Sequence, residues 1–341
     1  MEDFVLDARM EHIRNFTAIL SAVKLSKKQH VRVSVSDRSL TFVAVDDSKS
    51  LQAQANFRAE VFREYRVNAA AAGPDRGGTS TAYGQSTRGG GGVGGVGSNP
   101  SGGGTQGGTA RGGGGSFGLA LGSLIDVLNV FTTLDGEAEL SLRWPDRDGR
   151  LVLAAHTARG ASERPVRSCT HAAITPEERP TSGADGTGGG GVGEAELLFR
   201  GERNAFMLPT STLKEIVDDL EWPAAPMAIS MRSNPDELSF SAAGLEVGEL
   251  RVDVDARGGH LTEFSCKEPG RWLYRYRFLK AATGMPGNLV GPANLPEGDS
   301  PTMTRVAIGE GGMLKVVHLV HLSRALPQFG HGGHGGVGGG G

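Results

Sequence analysis

Three pairs of acidic residues come closest to a catalytic pattern in this sequence. They are Asp46 with Asp47, Asp218 with Asp219, and Asp253 with Asp255. A metal-dependent nuclease needs carboxylates that converge on two metal ions about 4 Å apart. Neighbouring side chains on a strand point to opposite faces, so an adjacent pair does not converge by itself. We therefore expect these acids to form turns or to face solvent, and we predict no catalytic residue; a metal-dependent 3'-5' exonuclease is the alternative.

Four histidines near the carboxyl end could suggest a metal site. His318 and His321 belong to a strand-like run at odd spacing, so their side chains would face opposite ways. His331 and His334 lie among glycines. Ligands of a metal such as zinc must converge on one point. We expect low-complexity sequence here, no metal site and no cofactor.

Three Arg-Gly-Gly triplets of the glycine-rich stretch at 73–115, which begin at Arg76, Arg88 and Arg111, could bind RNA. Segments of this type combine positive charge with flexibility. The bases of the RNA stack on aromatic residues that are interleaved with the arginines. Tyr83 is the only aromatic residue in this run. A composition-biased insertion is the better interpretation, and an Arg-Gly-Gly RNA-binding protein is the alternative.

A basic stripe follows the first predicted helix, which extends from about Met10 to Lys24. Apolar residues recur at helical spacing on one face and predict burial there: Ile13, Phe16, Leu20 and Val23. The opposite face and the residues after it offer Arg14, Ser21, Lys24 and Lys28, with Lys27 beside them. Lysine and arginine contact phosphates without reading base sequence, so this stripe is the best candidate for facing DNA.

The overall charge excludes a global attraction to nucleic acid. The 35 basic and 38 acidic side chains give a formal net charge of -3, so a DNA contact would be local. Cys169 and Cys266 are too few for a disulfide framework or a four-thiolate zinc site and indicate a reducing compartment. The sequence lacks a signal peptide and any apolar run of about 18 residues, so we expect a soluble protein without membrane contact.

Glycine-rich segments divide the chain. The 54 glycines concentrate in a predicted disordered insertion at 73–115, in shorter runs at 183–193 and 284–301, and in a tail at 330–341. We predict a first domain at 1–173 that contains the insertion, a linker at 174–193, a second domain at 194–325 and a disordered tail at 326–341.

The remaining sequence repeats one module four times, in the order strand, helix and hairpin. In the first copy the strand is 4–6 and the hairpin turns at Ser36-Asp37-Arg38-Ser39. The later helices are predicted at Ser123–Leu134, with Ser123 as N-cap, at Ser211–Glu221 and, more weakly, at Leu279–Thr283. The fold class is therefore α+β, with two similar domains that each pack two helices on antiparallel sheet.

Several segments of these modules resemble a known family. They are Asp7–Arg9 with Ile13–Leu20, Val45–Ala53, Phe57–Val67, and in the second half Phe206–Leu220 and Leu238–Gly244. They resemble the Rad-one family of checkpoint clamp subunits, relatives of the DNA sliding clamp PCNA. The chain differs from the clamp pattern by its two long glycine insertions and by a glycine-rich segment where clamps carry an ordered connecting strand.

The resemblance implies a non-catalytic subunit of a nuclear, heterotrimeric checkpoint clamp. Its partners would be a Rad-nine-like subunit, a Hus-one-like subunit, a checkpoint clamp loader and double-stranded DNA, bound without sequence specificity. The ring would recruit repair and signalling proteins and support activation of the checkpoint kinase. Edge strands of neighbouring subunits would pair to close the ring.

The resemblance also implies two kinds of site. The DNA-facing residues would be Arg14, Ser21, Lys24, Lys27, Lys28 and Lys280. The partner-peptide pocket on the outer face would include Val45, Asp46, Lys49 and Leu322. The second and third predicted helices carry acids, among them Asp126 and Asp219, so we expect this subunit to contribute little to the grip on DNA.

Overall fold

A computed structural model describes ten stretches of the chain: 4–68, 115–133, 138–159, 166–176, 199–221, 225–244, 248–255, 259, 261–285 and 302–320. The elements of the first half are β1 Leu6–Met10, α1 Ile13–Val23, β2 His30–Val35, β3 Ser39–Val45, β4 Gln52–Arg58, β5 Glu64–Val67, β6 Ser116–Ala120, α2 Leu121–Thr132, β7 Ala138–Trp144, β8 Leu151–Arg159 and β9 Val166–Ile174. Those of the second half are β10 Asn204–Pro209, α3 Thr210–Asp219, β11 Pro226–Arg232, β12 Glu237–Gly244, β13 Gly248–Val254, β14 Glu263–Cys266, β15 Gly270–Arg275, α4 Tyr276–Thr283, β16 Met303–Ile308 and β17 Leu314–Leu319.

The strands form four antiparallel sheets, two in each half of the chain. Sheet I has the order β5-β1-β7-β8-β9, and sheet II has the order β4-β3-β2-β6. Sheet III has the order β14-β10-β16-β17, and sheet IV has the order β13-β12-β11-β15. In each half, the first strand of one module pairs with the hairpin of the other, so the two modules interlock. The predicted α+β class with paired modules is confirmed.

Each half has its own hydrophobic core between its sheets and its pair of helices. In the first core, Phe16 of α1 lies 4.5 Å from Phe57 and 6.0 Å from Phe42, measured between ring centroids. In the second, Phe206 and Phe240 meet edge to face at 5.8 Å. Burial of these rings stabilises the fold and fixes the helices on their sheets. The exposed faces of the helices are thereby held in fixed positions.

Several predicted boundaries are wrong. The first strand is Leu6–Met10, not 4–6, because Leu6, Ala8 and Met10 alternate into the core. Helix α2 begins at Leu121, so Ser123 lies in its first turn and Ala120 is the N-cap. Helix α4 is longer than predicted because it begins at Tyr276. Strands β9 and β14 were not predicted at all.

The ends of the glycine-rich insertion meet on the same residue. The backbone N–H of Asn68 donates to the carbonyl oxygen of Val5 at 2.9 Å. Gly115 also packs closely on Val5, because an added Cβ would lie 3.4 Å from the Val5 side chain and 2.6 Å from Trp144. Except for residue 115 and residues 174–176, the predicted insertion at 73–115 and linker at 174–193 lie outside the described residues, as does the whole predicted tail at 326–341, so the domain limits stay a prediction. No helix in the described stretches is long and apolar enough to cross a membrane.

Candidate nucleic-acid interface

Helix α1 presents one polar face because its other face is core. Ile13, Phe16 and Leu20 are buried, and Thr17 is also buried with its hydroxyl donating to the Ile13 carbonyl at 2.8 Å. Arg14 lies on the exposed side of the helix. Ser21 is exposed as well and donates to the Thr17 carbonyl at 2.8 Å.

The lysines of the predicted stripe do not lie on the helix. Helix α1 ends at Val23, and the C-cap Lys24 has extended backbone. Lys27 and Lys28 are exposed in the turn that leads to β2. This turn lies against the start of α2, where an added Cβ on Gly122 would be 3.6 Å from the Lys27 carbonyl and 3.7 Å from Lys24 Nζ. Positive charge therefore gathers at the carboxyl end of α1, where it is also favoured by the helix dipole.

A shallow groove of about 320 Å³ separates α1 from α2. It is lined by Arg14, Thr17, Ala18, Ser21, Asn129 and Thr132. Guanidinium, hydroxyl and amide groups are the donors that proteins direct at phosphate oxygens. The groove thus joins two of the predicted DNA-facing residues, Arg14 and Ser21, to polar side chains of α2 that the sequence interpretation did not include.

The rest of the exposed face of α2 offers no positive charge. Ser123 and Asp126 are exposed there, and Val130 is 57% exposed. The five buried positions of the helix fix this orientation: Leu121, Leu124, Ile125, Leu128 and Phe131. The basic character of the first helix pair therefore comes from α1 and its following turn alone.

Both lysines of the second helix pair are engaged by acids. Lys214 pairs with Asp218 one turn later on α3. Lys280 of α4 donates to Glu221 Oε2 at 2.8 Å, and this bond raises the pKa of Lys280 and lowers that of Glu221. Lys280 as a DNA contact stays a prediction, and its charge is already engaged by an acid.

The sequence interpretation missed Arg277. The helix was predicted to begin at Leu279, whereas α4 begins at Tyr276 and leaves Arg277 exposed. Its guanidinium lies 4.6 Å from the centre of the Phe278 ring, and none of the ion pairs found among the described residues involves it. The spacing of Tyr276, Leu279 and Thr283 was the available signal, because these residues share one helical face.

The β3–β4 turn holds the predicted pocket residues Val45, Asp46 and Lys49. Asp46 Oδ1 accepts the backbone N–H groups of Ser50 and Leu51 at 2.7 and 2.6 Å, and its other oxygen accepts the hydroxyl of Ser48. Burial raises the pKa of Asp46, but these hydrogen bonds outweigh it and keep the pKa below its usual value. The carboxylate therefore closes a turn, as predicted for it.

The structure describes Val45 and Lys49 of the predicted pocket but not Leu322. The Val45 carbonyl accepts a hydrogen bond of 3.1 Å from the buried Gln29 side chain. Lys49 is exposed and has a positive φ of 53°. Leu322 lies outside the described residues. The pocket therefore stays a prediction.

The remaining acidic pairs do not converge in the described part of the chain. Asp253 accepts a hydrogen bond of 2.7 Å from Arg251, and Asp218 is paired with Lys214. Within the described stretches, no three histidine, cysteine, aspartate or glutamate side chains lie close enough together to hold a metal ion. The exonuclease alternative gains no support from these residues.

His318 lies inside the second half of the chain and not in a polar tail. Its Nε2 donates to the Ala282 carbonyl at 2.6 Å, and Nδ1 lies 2.7 Å from the Thr304 hydroxyl. Thr304 in turn lies 2.7 Å from the hydroxyl of Thr210. Burial lowers the pKa of His318 although the Ala282 bond opposes this effect. His321, His331 and His334 lie outside the described residues.

Comparison with known proteins agrees with this architecture. The model of the family described as "Repair protein Rad1/Rec1/Rad17" matches residues 5–170. No curated protein sequence matches the chain significantly. PCNA from Thermococcus kodakaraensis shares the fold at a TM-score of 0.57 and 12% identity, over 89% of this chain and 90% of PCNA. The first half of the chain is therefore similar to the Rad1/Rec1/Rad17 family, and the chain has the fold of the PCNA sliding clamp.

Proposed function

We propose that the chain is the non-catalytic, Rad1-like member of a nuclear heterotrimer that closes around duplex DNA. Its neighbours are a Rad-nine-like and a Hus-one-like subunit, and a checkpoint clamp loader opens the ring. The closed ring recruits repair and signalling proteins and supports activation of the checkpoint kinase.

The observation that carries this proposal is a pair of outermost strands, β9 in sheet I and β13 in sheet IV. Each is hydrogen-bonded to one neighbour only among the described strands, β8 and β12 respectively. Gly248 to Arg251 of β13 are exposed, and Leu250 is 41% exposed. An unpaired edge with an exposed apolar residue favours pairing with a second chain. In a ring, each such edge meets the edge of a neighbour.

The uneven charge of the helices supports unequal contributions of the ring subunits to DNA binding. Arg14, Lys24, Lys27 and Lys28 provide a local positive region at α1. The acids of α3, including Glu215 and Asp219, are exposed and repel phosphate. This subunit therefore contributes one contact region to the DNA, and its main role is to complete the ring and to hold partner proteins.

Partner peptides bind in this proposal at the outer pocket with Val45, Asp46, Lys49 and Leu322. The hydrogen bonds of Asp46 give the β3–β4 turn a fixed shape, which supports a role in recognition.

An assembly experiment tests the proposed heterotrimer. The chain is mixed with its Rad-nine-like and Hus-one-like partners, and native mass spectrometry measures the stoichiometry. We expect a 1:1:1 complex. A chain that stays monomeric, or that forms a ring with itself alone, would overturn the proposal.

Two leucine variants make this test specific to the β13 edge. Leu250→Asp places a charge on the edge that is proposed to pair with a neighbour and should weaken assembly at least about tenfold. Leu273→Asp is the matched control, because Leu273 is 62% exposed on β15 at the opposite edge of the same sheet. Equal assembly by both variants would exclude β13 as an interface.

A further inference from the structure

The outer edge of β15 is free in the described part of the structure. This strand pairs with β11 on one side, from Gly270 opposite Met231 to Arg275 opposite Pro226. No backbone hydrogen bond between described residues reaches its other side. Edge strands in soluble proteins are usually protected by proline, bulges or charged side chains; β15 contains no proline, and its charged residues are Arg271 and Arg275.

Inward-facing aromatic residues hold β15 in place. Trp272 and Tyr274 pack against the second core, and the Tyr274 hydroxyl donates to the Gly312 carbonyl at 2.9 Å. Trp272 lies so close to Gly312 that an added Cβ would be 2.9 Å from its ring. The edge is therefore a preformed template, and a bound strand would not have to order it.

The outward-facing residues of β15 are Arg271, Leu273 and Arg275. Leu273 is 62% exposed, more than any other large apolar residue of the described chain. Its cross-strand neighbour is the small residue Ala228, which cannot cover it. An apolar side chain thus stands between two arginines along the edge.

The two arginines are only partly engaged by this chain. Arg271 lies 3.5 Å from Glu249 and donates to the Ser241 hydroxyl at 3.3 Å. Arg275 is exposed, and none of the ion pairs among the described residues involves it. Arg275 therefore has positive charge left for a partner, whereas Arg271 reaches across the sheet to β12 and β13 and would have to exchange Glu249 for an acid of the partner.

We propose that the free edge of β15 binds an extended peptide by strand addition, and that the peptide presents an acidic, an apolar and an acidic residue at alternate positions. Main-chain hydrogen bonds would supply affinity, and the alternate side chains would supply specificity. The two acids would lie opposite Arg271 and Arg275, and the apolar residue would cover Leu273. The site lies at the opposite edge of sheet IV from β13, although Arg271 pairs with Glu249 of β13, and it shares no residue with the β3–β4 turn.

A peptide of defined sequence tests the proposal. The probe is a fluorescein-labelled, capped peptide with the central sequence Asp-Thr-Val-Thr-Asp, and fluorescence anisotropy measures its binding to the full chain. We expect saturable binding that falls at least about tenfold in the double variant Arg271→Glu with Arg275→Glu. The same peptide with lysines in place of both aspartates should bind the double variant and not the original chain. Absence of binding by the acidic peptide overturns the proposal.

Backbone methylation separates strand addition from simple charge attraction. Peptides N-methylated at alternate residues cannot donate along one of their two edges, so one of the two methylated series should lose binding. Equal binding by both series would overturn strand addition, because attraction of unlike charges does not need the peptide N–H groups.

The two leucine variants distinguish this site from ring assembly. Leu273→Asp should abolish peptide binding and leave the 1:1:1 complex intact. Leu250→Asp should weaken the 1:1:1 complex and leave peptide binding intact. Circular dichroism of each variant checks that the chain is folded, and the charge exchange provides an independent test if Leu273→Asp does not fold. If a folded Leu273→Asp variant lost both peptide binding and assembly of the 1:1:1 complex, the two edges would not have separate roles.

Discussion

At the scale of single residues, Phe16 is central to the first core. Its ring packs against Phe42 and Phe57 and joins α1 to sheet II. We expect Phe16→Ala to lower the free energy of unfolding by about 3–5 kcal/mol, because it leaves a cavity in a close-packed core. Urea denaturation measures this loss. Val130→Ala, at an exposed position of α2, should change stability by less than about 0.5 kcal/mol, and a similar loss in both variants would contradict the packing.

His318 makes a prediction about pH. Burial lowers its pKa in the folded chain, so the unfolded chain takes up the proton first as the pH falls below about 6.5. The unfolded state then binds more protons, and stability must fall between this pH and the folded pKa. We expect His318→Gln to flatten this part of the stability curve, measured by denaturation from pH 7.5 to 5. Identical pH profiles would show that the histidine network does not contribute.

The lysines around the end of α1 determine the predicted salt dependence of DNA binding. Each lost phosphate contact should reduce the slope of log affinity against log salt by about 1. We expect the triple variant Lys24→Ala, Lys27→Ala and Lys28→Ala to lower this slope for the assembled clamp on duplex DNA. Lys214→Ala is the control, because Asp218 already neutralises that lysine. An unchanged slope in the triple variant would remove these residues from the DNA-facing surface.

At the scale of secondary-structure elements, the glycine-rich insertion should be dispensable for folding. The residues at its two ends, Asn68 and Gly115, both contact Val5. A short link can therefore replace 73–114 without moving β5 or β6. We expect the chain without residues 73–114 to keep its circular dichroism spectrum and to assemble with its partners. Loss of assembly would contradict this result, and loss of RNA binding alone would support the Arg-Gly-Gly alternative.

Local periodicity explains which elements the sequence could predict. The hairpin β2–β3 has alternating apolar residues, and helix α1 has apolar residues at helical spacing. The existence of both elements was predicted correctly. Strand β9 was missed because Arg167, Ser168 and His171 interrupt any apolar pattern, as is common on an edge strand. The interlocking of modules could not be predicted, because periodicity does not specify the partner of a strand.

Local periodicity also failed to predict how the residues of the candidate site are brought together. The residue types at α1 were predicted, but Lys24 to Lys28 lie in a turn because the helix ends at Val23. Asn129 and Thr132 join Arg14 only through the packing of α2 on α1, which no local pattern indicates. Arg277 was missed because a short helix directly after a strand resembles a longer strand.

At the scale of the whole molecule, the central claim is that this chain completes a ring that holds DNA by topology. A ring bound in this way leaves through a free end, whereas a ring bound by charge alone leaves equally from linear and circular DNA. We expect the described helices of this chain to hold DNA only weakly by charge, because α2 offers no positive charge and the lysines of α3 and α4 are paired with acids.

The direct measurement is retention of the loaded heterotrimer on DNA circles in high salt. The complex is loaded onto a nicked circle, and half of the sample is cut at one site before gel filtration. We predict that the chain elutes with the intact circles and is lost from the cut DNA. Equal retention on both forms would contradict encirclement.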